Sequence, residues 1–168
     1  MLNSTVAKLL NEQINKEMYS AYLYLDFANY YVSKGLNGFA NWFNIQAKEE
    51  MGHAMLFIQY LQNNNNEVSL ASIAKPDKVL KDLRVPLVES YNHELTVTAS
   101  IHNIYAEAGK VNDFRTQQLL QWFIKEQGEE EKNATDLIND FDLYGQPGLF
   151  ALDGKLALRV YTAPSLVL

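Results

Sequence analysis

Phe39, Phe43, Gln46, Glu50, His53, Phe57 and Tyr60 follow one another in steps of three and four. That spacing sets them on one side of an α-helix, the side that a bundle buries. No other feature constrains the fold as much, because the pattern recurs three more times. The stretch 4–33 carries Leu10, Ile14, Glu17, Ala21, Tyr24, Ala28 and Tyr31. The stretch 83–108 carries Leu87, Tyr91, Glu94, Thr98, Ile101, Tyr105 and Ala108. The stretch 114–144 carries Thr116, Leu120, Phe123, Gln127, Glu130, Ala134, Leu137 and Phe141. Four long helices, each with one stripe to bury, predict an all-α four-helix bundle.

The connections set its topology. Asn3 or Ser4 can cap the first helix, and Gly35-Leu36-Asn37-Gly38 is a turn. The second helix, about 38–62, stops at the run Asn63–Asn66, whose helix propensity is poor. Residues 64–81 show no helical period and contain Pro76. Extended, they reach about 60 Å, whereas a helix of about 28 residues is about 42 Å long. This segment can therefore cross the whole bundle and make helices two and three parallel. Pro86 suits a first turn, and Asp113, after the turn at Gly109, suits an N-cap. Gly145-Gln146-Pro147-Gly148 ends the fourth helix near Tyr144. Leu149, Leu152, Leu156 and Val160 then predict a short fifth helix over about 148–160, packed on the bundle or on other subunits. Residues 161–168 read as a loose tail. The whole of 1–168 reads as one domain.

Composition closes off several function classes. With no cysteine, thiolate metal sites and Cys nucleophiles are excluded. A formal net charge of −6 argues against general nucleic-acid binding and permits attraction of cations. No stretch approaches the ~20 apolar residues of a membrane span. No basic leader is visible, so the expected location is the cytoplasm.

The chemistry lies in the polar members of the stripes. Glu17 stands about thirteen residues into its helix, Glu50 and His53 about twelve to fifteen, Glu94 about eleven, and Gln127 and Glu130 about thirteen to sixteen. Mid-height positions meet at one level whichever way each helix runs. Glu50-x-x-His53 share a helix face, and Gln127-x-x-Glu130 repeat the spacing. No Lys or Arg stands on these stripes at that level to neutralise the carboxylates, and unpaired buried carboxylates cost several kcal/mol each. A metal ion is the compensation suited to this set. One imidazole among carboxylates favours iron or manganese over zinc, and four carboxylates balance two divalent ions. Glu50 is the candidate bridge. His93 and His102 fall off the inner stripe and are expected at a surface or interface.

The segments 9–18, Glu49-Glu50-Met51-Gly52-His53 and Glu126-Gln127-Gly128-Glu129-Glu130-Glu131 resemble those of bacterial non-haem ferritins, and the resemblance spans nearly the whole chain. Ferritin-like bundles are themselves the standard instance of carboxylate metal sites between helices. The resemblance implies a ferritin-like bundle with a long crossover and a short fifth helix, acting in iron storage. It implies a ferroxidase centre. Glu17, Glu50 and His53 would hold one iron. Glu50, Glu94 and Glu130 would hold the second, with Gln127 beside it. It further implies a third iron site at Glu49, Glu126 and Glu129 with Glu130, and a redox-capable phenol at Tyr24. The partners implied are Fe(II), oxygen or hydrogen peroxide, and twenty-three further copies in a hollow shell of twenty-four. One departure discriminates within the wider family. Bacterioferritins carry Glu-x-x-His on two helices, whereas the second copy here is Gln127-x-x-Glu130. Met51 aligns with the methionine those proteins use for haem; it reads here as packing, and no haem is expected. Besides a haem-containing bacterioferritin, the alternative is a di-metal oxidase or oxygenase of organic substrates. That chemistry needs a pocket where these stripes carry Tyr and Phe.

Overall fold

The computed structural model describes residues 2–168. Its elements are α1 (Ser4–Ser33), α2 (Asn37–Asn63), α3 (Val85–Lys110) and α4 (Phe114–Leu156). Helix α1 packs on α2 and α3, and α4 packs on the same two, so each helix has two neighbours around a square. The Asn3 side chain caps α1 by accepting from Thr5 N, and Asp113 caps α4 by accepting from Thr116 N. Gly35 has φ of +75°, a left-handed conformation that closes the end of α1 at little cost for glycine.

The long connection between α2 and α3 lies along α1. Asn11 donates to Glu67 O at 3.2 Å and accepts from Ser69 N at 2.7 Å, and Asn15 donates to Ser72 O at 3.1 Å. Near the far end of α1, the Tyr31 hydroxyl donates to Leu83 O at 2.6 Å. The segment therefore starts at one end of the bundle and finishes at the other, and α3 sets off from the end where α2 began. The two are parallel, as the reach of 64–81 predicts.

Helix α4 is broken at Gly145, where φ is 57° and ψ is −171°. This backbone region is essentially restricted to glycine. Residues 114–144 form the fourth bundle helix, and 146–156 form a terminal limb bent away from it. The limb is shorter than the sequence suggests: it ends at Leu156, and Val160 is exposed. The Asn41 amide donates to the carbonyls of Leu156 and Arg159 at 3.2 and 3.0 Å, which draws the chain out of the helix. Leu152 and Leu156 are buried as expected. The limb also completes α2, which has no N-cap of its own. Asp153 Oδ1 accepts from Gly38 N at 2.8 Å and Phe39 N at 3.0 Å. The approach is close enough that a Cβ on Gly38 would lie 1.7 Å from the Asp153 carbonyl oxygen.

Two apolar layers fill the bundle on either side of mid-height. One joins Leu10, Ile14, Phe57, Ile101, Leu120 and Phe123; the other joins Tyr24, Phe27, Tyr31, Phe39, Phe43 and Leu87. Phe57 stacks on Phe123 at 4.2 Å, and Tyr31 stacks on Phe39 at 4.9 Å. Full burial of each such side chain contributes about 1.5–3 kcal/mol. On α3 the buried stripe is Leu87, Ser90, Glu94, Val97, Ile101, Ile104 and Ala108, so Tyr91, Thr98 and Tyr105 flank it instead of lying within it. Residues 161–168 are not a loose tail. The Trp122 indole donates to Ser165 Oγ at 3.1 Å, and Leu166 packs against the first apolar layer. No helix among the described residues is long and apolar enough to cross a membrane.

Candidate metal centre

Between the apolar layers lies a polar one. Glu17, Glu50, His53 and Glu94 are at most 1% exposed, and Glu130 is 4% exposed. One ligand atom each from Glu17, Glu50 and His53 lie within 4.8 Å of one another. Among the described residues, none of the four carboxylates pairs with a lysine or arginine; the nearest basic group is His53 Nδ1, 3.6 Å from Glu50 Oε2. Glu17 Oε2, both Glu50 oxygens and His53 Nδ1 are buried and make no hydrogen bond. Unpaired buried polar atoms are costly and rare, and this group converges on one point. Carboxylate oxygens with one imidazole nitrogen are the donor set that iron accepts.

Glu94 and Glu130 belong to the same electrostatic unit but are turned onto other partners. Glu94 accepts from the Tyr24 hydroxyl through Oε1 and from Gln127 Nε2 at 3.0 Å through Oε2. Gln127 also donates to Thr98 Oγ1 at 3.3 Å, so here it orients Glu94. Glu130 Oε2 accepts from Gln46 Nε2 at 2.8 Å. Burial comes first in displacing the acidities, and mutual repulsion adds to it. Glu50 is held well above the ordinary carboxylate range by burial and by Glu94, Glu17 and Glu130. Burial pushes Glu94 up to about 7, against the hydrogen bonds from Tyr24 and Gln127. Burial and Glu94 push Glu130 up to about 8. The Tyr24 phenol is likewise raised by burial, Glu94 and Glu50. Such a set holds protons until a cation replaces them.

The outer carboxylates are more dispersed. Glu126 Oε1 lies 4.0 Å from His53 Nε2. Glu49 is paired with Arg159 at 2.7 Å, and burial raises its pKa in spite of that partner. Glu129 is exposed and stands 3.3 Å from Lys125.

Two orienting glutamines were not singled out in the sequence, and one histidine off the inner stripe packs more closely than an exposed one. Gln13 is fully buried, donates to Glu17 Oε1 at 2.8 Å and accepts from Ser100 Oγ at 2.6 Å. Its signal was its place four residues before Glu17. Gln46 was visible on the α2 stripe but not as the residue that holds Glu130. His93 is half-buried against α1, with Nε2 2.7 Å from Ser20 Oγ and its ring edge-on to Tyr24 at 5.9 Å. Burial and Lys78 lower its pKa to about 4. His102 is exposed, as expected.

A bundle whose mid-height is a layer of metal-seeking carboxylates around one histidine defines the class of carboxylate metal proteins. Within that class the chain belongs to the ferritin family: the family model described as a ferritin-like domain matches residues 7–144. The chain is 36% identical over 148 residues to a bacterial non-heme ferritin of Campylobacter jejuni, covering 88% of this chain and 89% of that one. It is 32% identical over 162 residues to a bacterial non-heme ferritin of Bacteroides fragilis, covering 95% and 100%. Among solved structures, an engineered closed form of the Archaeoglobus fulgidus ferritin superposes with a TM-score of 0.93 at 37% identity, covering 96% of this chain and 100% of that one. The fold is the ferritin four-helix bundle, and the family's function is iron storage.

Proposed function

We propose that this chain is a ferroxidase that feeds an iron store. Two Fe(II) ions enter the polar layer as substrate, one at Glu17, Glu50 and His53 and the other at Glu50, Glu94 and Glu130. Each gives one electron to oxygen, which takes up two protons and leaves as hydrogen peroxide. With hydrogen peroxide as the oxidant, the same two electrons and two protons give two waters. The observation that carries the reading is the group of buried, unpartnered donor atoms on Glu17, Glu50 and His53.

The chain's own residues divide the work. Gln13 and Gln46 hold Glu17 and Glu130 in place. Tyr24 and Gln127 hold Glu94, and the Tyr24 phenol is a redox-capable group hydrogen-bonded to a ligand. The protons that the raised carboxyls carry at neutral pH leave as the ions bind, beside the point where the oxidant needs protons. The ferric product passes Glu49, Glu126 and Glu129 and is deposited as hydrated oxide inside a shell of twenty-four copies in the cytoplasm. The likeness to non-heme ferritins over nearly the full chain supports this storage step, which requires no haem.

Oxygen uptake on Fe(II) addition tests the chemistry. Glu50→Ala removes the carboxylate shared by both ions and is expected to lower the initial rate by at least about a hundredfold, as loss of a group acting on the transition state does. An unchanged rate would overturn the assignment.

A further inference from the structure

The chain beyond the terminal limb of α4 lies along the groove between α2 and α4. The groove is the side of the bundle that carries Glu49 and Glu126. Arg159 is the main anchor. Its guanidinium stands over the Trp42 ring at 4.0 Å, donates from Nη1 to Trp42 O at 3.4 Å, and donates from Nη2 to Glu49 Oε2 at 2.7 Å. Its carbonyl accepts from Asn41 Nδ2 at 3.0 Å. Further along, a side chain at position 52 would meet Pro164 at 3.1 Å, so Gly52 leaves room for the segment. Ser165 and Leu166 then fix it to Trp122 and the apolar layer.

A guanidinium is planar, permanently charged and suited to stacking on an indole while it binds a carboxylate. Here it satisfies one Glu49 oxygen, with both side chains only 18% exposed. A metal ion that takes Glu49 must break that contact, so one cation exchanges for another. We propose that Arg159 is a specificity-determining residue of the outer metal site: a tethered cation that occupies Glu49 until a metal ion displaces it and frees residues 157–168 from the groove. The proposal rests on the reading of Glu49, Glu126 and Glu129 as that site. Displacement favours ions of higher charge than the guanidinium. It also makes the outer site fill after the two inner positions, where ions replace protons but no tethered side-chain cation has to be moved.

The two tryptophans of the chain make this measurable. In assembled Trp122→Phe protein, Trp42 is the only indole and lies directly beneath Arg159. Titration with redox-inert Zn(II), followed by calorimetry and by Trp42 emission, counts the ions and reads the displacement together. The first two ions are expected to leave the emission unchanged and the third to shift it. Arg159→Gln is expected to tighten the third ion about tenfold, the size of one charge-assisted contact, and to leave the first two alone. Glu49→Gln is expected to abolish the third. If Glu49→Gln removes the third ion but Arg159→Gln does not tighten it and Trp42 stays silent, the outer site stands and the role of Arg159 is refuted. If Glu49→Gln still binds three ions, the reading of the outer site itself fails. If Arg159→Gln does not assemble, the Trp42 signal in the chain that keeps Arg159 decides alone.

Discussion

Metal-free protein should lose stability as the pH rises through neutrality. Glu94 is raised from 4.5 to about 7 and Glu130 from 4.5 to about 8, both chiefly by burial, and Glu50 is raised too. In the unfolded chain these groups ionise near ~4.3. Between the two ranges the folded state binds more protons than the unfolded state, so stability falls with increasing pH. The loss begins near the unfolded value and is complete above the folded ones. At ~1.4 kcal/mol per unit, the Glu130 shift alone corresponds to about 5 kcal/mol and the Glu94 shift to about 4. Glu94 is one cause of the Glu130 shift, so the two do not simply add, and the part lost between pH 5.5 and 9 is about 5 kcal/mol. For a chain of this length that lowers the melting temperature by about 10–20 °C. Calorimetry of chelator-treated protein from pH 5.5 to 9, at fixed ionic strength, should show the decline. The same series with Zn(II) should be nearly flat, because the metal replaces the protons. A metal-free melting temperature that holds level or rises over this range would refute the reasoning.

Three further outcomes follow from single contacts. Glu50→Gln removes a carboxyl that burial and the neighbouring Glu94, Glu17 and Glu130 hold above its ordinary range, so metal-free protein should melt higher at pH 8 while metal binding, read by calorimetry, weakens. Gln46→Leu leaves Glu130 without its buried donor; the expected result is weaker binding of the second ion by about tenfold, with the first unaffected. Gly38→Ala drives a methyl into the Asp153 carbonyl and should release the terminal limb, costing about 1–3 kcal/mol in denaturant unfolding and exposing the limb to proteolysis.

The bundle and the buried polar layer at its mid-height were legible because both are local in the sequence. A carboxylate on a helical stripe stands out against its apolar neighbours, and mid-height positions on four helices coincide without any knowledge of long-range contacts. Where two apolar residues compete for one turn the stripe is ambiguous. On α3 the choice between Thr98 and Val97, or Tyr105 and Ile104, is settled only by how α3 leans on α1 and α4. His93 lies one residue from the stripe, and it is half-buried because it packs on α1, against Ser20 and the rings of Tyr19 and Tyr24. The course of residues 157–168 was not legible at all. Asn41, Trp42, Glu49 and Trp122 hold it from far along the chain, and no local period marks it. Nor did the sequence reveal Asp153 as the missing cap of α2, since its partner lies more than a hundred residues away.

Aerobic Fe(II) titration of the purified chain, with iron and protein measured together after size exclusion, tests the central claim most directly. Iron far in excess of what the metal centre can hold, eluting with a very large assembly, is the result the account predicts. Iron that stops at the capacity of the centre, on a small particle, would contradict storage and move the same carboxylates to oxidation of another substrate.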